Sequence, residues 1–114
     1  MDLSKIENIE LKFLSLQDYE ALKEATIEAY GGLPNSYWKL DEIGRLISIF
    51  PEGQVVIKVD GEIAGCALSL IVDYDKIDNQ HTYNDITDDP NFKIHDPEGD
   101  VLYGIDVFIK PNFR

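Results

Sequence analysis

Apolar positions along the chain fall into blocks of two different periods. Ile9, Leu11 and Phe13 alternate with Glu10 and Lys12, which predicts a half-buried first strand. Leu16, Tyr19, Leu22, Ala25, Ile27 and Ala29 then trace a roughly helical stripe as far as about Tyr30. Ser15 stands where an N-cap belongs, Asp18 takes the capping-box position, and Gly31-Gly32 ends the helix. After a loop over 33–36, a second helix is expected over 37–50, with Ile43, Leu46, Ile47 and Phe50 on one face. Pro51-Glu52-Gly53 stops it. Two strands, 54–59 and 62–72, meet at Asp60-Gly61, a type I′ hairpin signal. The second of them is nearly all apolar, as a strand buried on both faces would be, and Gly65 marks a bulge or a close backbone approach.

The last strand, 101–109, is rich in β-branched and aromatic residues, interrupted only by Gly104 and Asp106, and reads as buried. Pro111 has no backbone N–H, so the strand ends near Lys110. Residues 1–8 read as an N-terminal tail. Residues 73–100 are a long, acidic, turn-rich loop, with a short helical turn expected at 82–87. The whole predicts one α+β domain: a mixed, mainly antiparallel sheet with two helices between strands 1 and 2.

The net charge of −12 excludes nucleic acid and anionic membrane surfaces as partners. An acidic face either attracts a cationic amine or is a solvated surface tuned for solubility. The single cysteine, Cys66, can form no internal disulfide and reads as a small buried hydrophobe in a reducing cytoplasm. The N-terminus lacks the pattern of a signal peptide, and no run approaches the ~18 apolar residues of a membrane span. No phosphate-loop, nucleophile-elbow, zincin or C-x-x-C motif occurs. His81 and His95 stand among several aspartates, but their spacing fits no zinc or calcium template, and a solvated acidic loop is the simpler reading.

Val107-x-Ile109-x-Pro111-x-Phe113-Arg114 resembles the central strand of the GNAT (Gcn5-related) N-acetyltransferases. In that family such a strand leads into a Gly-rich R-x-x-G-x-G turn, whose amides hold the pyrophosphate of acetyl-CoA at a helix N-terminus. Only the leading Arg114 of that turn is present. The stretches 53–67 and 100–111 are similar to a bacterial subgroup in which a GNAT domain precedes a carbon–nitrogen hydrolase. The resemblance implies the N-terminal half of a truncated acyl-CoA N-acyltransferase (GNAT) fold, from a parent that moves acetyl from acetyl-CoA to an amine. The chain alone is expected to be inactive. An exposed sheet face and the edge strand 101–109 would then invite self-association or a partner.

The same resemblance assigns roles. Val107, Phe108 and Ile109 would offer main-chain groups to pantetheine and the acetyl carbonyl, and Arg114 would begin the pyrophosphate turn. As a terminal residue without the loop, Arg114 is expected to be disordered. Asp106 is the candidate base, since a carboxylate in an apolar strand is costly unless paired or functional; facing water or a backbone N–H is the alternative. Tyr37, Trp38 and Tyr103 are candidate acceptor-site residues, with core packing as the alternative for each. A second class of reading also stands: a non-enzymatic acidic interaction module that takes a partner's strand on its open edge.

Overall fold

A computed structural model describes residues 8–33, 35–73 and 92–114. Among these the expected order is found: β1 (Ile9–Phe13), α1 (Tyr19–Ala29), α2 (Leu40–Ile49), β2 (Val55–Val59), β3 (Glu62–Val72) and β4 (Val101–Ile109). The sheet runs β1-β2-β3-β4 and every pairing is antiparallel, so the expected mixed character is not seen among these strands. The helical turn expected at 82–87, and His81 with it, lie outside the described residues.

The hairpin forms as its sequence dictates. Asp60 and Gly61 both take positive φ (52° and 84°), which a type I′ turn requires. Gly65 answers both expectations placed on it. The β2–β3 register shifts beside it, and an added Cβ would meet the Phe108 carbonyl oxygen at 2.8 Å.

The helices cover one face of the sheet. Tyr19, Leu22 and Ala25 of α1 and Ile43 and Leu46 of α2 pack with Val56, Cys66, Leu68, Leu70, Val72 and Phe108. Leu16, expected in this stripe, is exposed, because Leu16–Asp18 form a 3-10 turn whose tighter winding takes its side chain off the α1 face. Ser15 still closes the helix start, with its N–H and hydroxyl donating to Asp18. α2 begins later than position 37, where the Lys39 N–H donates to Glu42 at 2.9 Å.

Two burial expectations are overturned, for one reason. Ile9, Leu11 and Phe13 were to be the half-buried face of β1, yet Leu11 is 72% exposed. β4 was to be buried, yet Leu102 and Val107 are each 68% exposed. Cross-strand partners share a face, and Phe13, Val55, Ala67 and Val107 form one such row. That row lies on the side opposite the helices, and no described element covers it. An open groove of about 320 Å³ runs there between Phe50, Val55, Ala67, Leu102 and Val107. This is the open apolar sheet face that the resemblance implied.

The described end of the acidic loop is tied down. Phe92 enters the core with a positive φ of 49° and is buried. The Asp96 N–H donates to Ile71 O and the Asp100 N–H to Val72 O. His95 stacks on Phe50, with ring centroids 5.1 Å apart, and its Nδ1 accepts the Ile71 N–H at 3.1 Å. Burial pushes the His95 pKa below the usual imidazole value, while Asp96 opposes this. The Ile71 bond acts with burial, because only an unprotonated Nδ1 can accept it. The contribution of His95 to stability is therefore fully present above its unfolded pKa of 6.5 and declines as pH falls through its lower folded value. Urea midpoints of wild type and His95→Gln should differ most above pH 6.5 and converge as pH falls below it.

Candidate functional site

Asp106 lies on the helix face of β4, paired across to Leu68, where the β3–β4 register shifts. Its carboxylate is half-buried and doubly held. Oδ1 accepts a hydrogen bond from the Tyr30 hydroxyl, and Oδ2 accepts the Trp38 indole N–H at 2.9 Å. Tyr30 follows directly on α1, with its ring 6.0 Å edge-on from Phe108. Trp38 lies just before α2. The Tyr19 hydroxyl donates to its carbonyl at 2.8 Å, and its ring sits 6.2 Å from Phe92. A carboxylate has about four lone-pair positions. These two donors leave others free to accept a proton.

The other expected residues separate. Tyr37 turns to α1, where Lys23 Nζ stands 4.5 Å over its ring. Tyr103 packs against the core cluster. The Lys110 N–H donates to Ala64 O, so the register makes Cys66–Phe108 the next hydrogen-bonded pair. The main-chain groups of Phe108 are therefore committed to β3, while those of Val107 and Ile109 point to the edge that no described strand pairs. Arg114, expected to be disordered, donates from Nε to Ile109 O (2.8 Å) and from Nη2 to Ala29 O (3.1 Å). It thus fastens the C-terminal end of α1 to the end of β4.

Lys110 holds the same end from below. Its ammonium bridges Glu62 (2.6 Å) and Glu28 (3.1 Å), and the Glu62 bond raises its pKa. Cys66 sits behind the site and is buried. Burial first, and the Asp106 charge second, push its thiol up to about 12. The thiolate is the reactive form, so Cys66 is no nucleophile here. Iodoacetamide at pH 8 should label the native chain far more slowly than the urea-unfolded chain, with mass spectrometry as the readout. No group of three or more metal-ligating residues is found among the described residues. No helix among them is long and apolar enough to cross a membrane.

No family model matches the chain. Two curated proteins of Bacillus subtilis (strain 168) are similar to it in sequence. The probable hydrolase YhcX is 31% identical over 115 residues, a match that takes in all of this chain and 22% of YhcX. The uncharacterized N-acetyltransferase YkwB is 34% identical over 77 residues, 68% of this chain and 34% of YkwB. Two solved structures share its fold. The loading GNATL domain of CurA from Lyngbya majuscula matches with a TM-score of 0.72 at 23% identity, over 95% of this chain and 51% of that one. The GNAT-like decarboxylase GphF, in complex with isobutyryl-CoA, matches with a TM-score of 0.74 at 18% identity, over 92% and 50%.

The fold these features define is that of a GNAT-like domain, of which the chain matches about half. Along its whole length it resembles a stretch of a probable hydrolase, as expected for a GNAT domain fused to a hydrolase. It spans about half of the solved chains, and 22% and 34% of the two curated relatives.

Proposed function

We propose that this chain supplies the acceptor side and the fourth-strand edge of a cytoplasmic N-acetyltransferase domain that moves acetyl from acetyl-CoA to an amine. The observation that carries this is the Asp106 carboxylate, held by Tyr30 and Trp38 on β4 of a half-GNAT sheet. In the reaction Asp106 takes a proton from the ammonium form of the amine, and the neutral nitrogen attacks the thioester carbonyl carbon. The tetrahedral oxyanion collapses, the nitrogen's second proton passes to the departing sulfur, the C–S bond breaks, and coenzyme A leaves as the thiol. Val107 and Ile109 offer edge groups to pantetheine, while Phe108 serves as the buried strut beneath them. Arg114 exchanges its two carbonyl partners for the phosphates when the following turn is present. Trp38, bonded to Asp106, meets the amine, while Tyr37 on Lys23 and Tyr103 on the core stand apart from it. The chain alone is inactive in this reading, because it spans about half of the solved GNAT-like chains it matches.

The complex of GphF with isobutyryl-CoA supports a coenzyme A thioester as the ligand class. YkwB, an N-acetyltransferase by name, supports the amine acceptor. Neither relative favours the interaction-module reading, although the open β4 edge remains a surface for association. The test follows thiol release from acetyl-CoA by the natural full-length polypeptide with a panel of primary amines. Amine-dependent release is the expected result. Release that no amine accelerates would overturn the reading.

A further inference from the structure

Asp106 faces two donors that come from different parts of the chain, and one of them lies outside the expected site. Tyr30 is the residue that ends α1, 76 positions before Asp106. It is 41% exposed, so its hydrogen bond is not a buried polar pair that folding must satisfy. Its placement is nevertheless fixed three ways. The ring meets Phe108 edge-on, the hydroxyl meets Asp106, and Arg114 clamps the Ala29 carbonyl one residue earlier. Trp38 holds the opposite carboxylate oxygen and is itself held by Tyr19 and Phe92. Donors on both oxygens stop the carboxylate from turning about its Cβ–Cγ bond, so its remaining lone pairs keep one direction.

We propose that Tyr30 is a positioning residue, acting with Trp38 to aim the Asp106 carboxylate at the acceptor amine. This rests on the acyl-transfer reading above. Proton transfer depends on the direction of the base as well as on its presence. Removing the Tyr30 hydroxyl should therefore lower turnover without removing the amine's binding surface.

The test has two arms. Trp38 is the chain's only tryptophan, so its indole N–H gives a single resonance in a ¹⁵N-labelled sample. Tyr30→Phe keeps the ring and its packing on Phe108. It should shift that resonance in the same direction as Asp106→Asn does. In the natural full-length polypeptide, Tyr30→Phe should lower kcat roughly tenfold, a part of what the base itself contributes, and leave KM for the amine nearly unchanged. An unmoved resonance would overturn the proposal, as would a moved resonance with an unchanged kcat. Full acyl transfer by Asp106→Asn would remove Asp106 as the base, whereas thiol release that no amine accelerates in the wild type would remove the acyl-transfer reading beneath the proposal.

Discussion

Gln54→Leu should cost the chain about 2–4 kcal/mol of stability. Gln54 lies just before β2 and is fully buried. Its amide does the work of a backbone rung. Oε1 accepts the Ser69 N–H at 3.0 Å, and Nε2 donates to Ser69 O at 2.8 Å and to Phe50 O at 3.0 Å. Leucine fills nearly the same volume but leaves the buried Ser69 N–H and C=O without these partners. Each orphaned group costs about 1–3 kcal/mol. Gln54→Glu keeps only the acceptor and adds a charge without a countercharge, so it should be no milder. Against a total stability of roughly 5–15 kcal/mol, the loss is a large fraction. Urea unfolding should show a lower midpoint with an unchanged slope. A midpoint within experimental error of wild type would mean that Ser69 finds other partners.

Asp106→Asn should lower acyl transfer by the natural full-length polypeptide by about 10²–10⁴, the usual worth of a positioned general base. Asparagine is nearly isosteric and can still accept from Trp38 or Tyr30, so the fold should survive. It cannot take the amine's proton. The deficit should shrink as pH rises toward the amine's own pKa, because a neutral amine needs no base. A pH–rate profile of kcat/KM for both proteins measures this. A deficit that stays constant across pH would assign Asp106 to binding instead of proton transfer.

The element order was legible because it rests on local signals. The apolar run 62–72 is bounded by Asp60-Gly61, and the run 101–109 by Pro111; both strands end where those signals place them. Which side of a strand is covered was not legible. Alternation in β1 separates Leu11 and Phe13 from Lys12, but a period of two does not say where the helices lie. The helices pack over Val56 and Cys66, and the apolar side chains of β1 face away. The candidate site was half legible. Asp106 was visible as a carboxylate in an apolar strand, and Trp38 as an aromatic near the helices. Tyr30 was not, because it sat at the fading end of a helical stripe and its partner lies on a distant strand. Gln54 and Phe92 were missed for a similar reason. One is a polar residue whose partners are backbone atoms fifteen residues on, and the other is an aromatic in an acidic loop.

The most direct measurement is acetyl-CoA binding by titration calorimetry, run on the 114-residue chain and on the natural full-length polypeptide. Binding to the full-length polypeptide and none to the chain alone is the expected result, because the edge groups of Val107 and Ile109 then need the rest of the domain to complete the site. No binding to the full-length polypeptide would contradict it, and the likeness to GNAT domains would be one of fold alone.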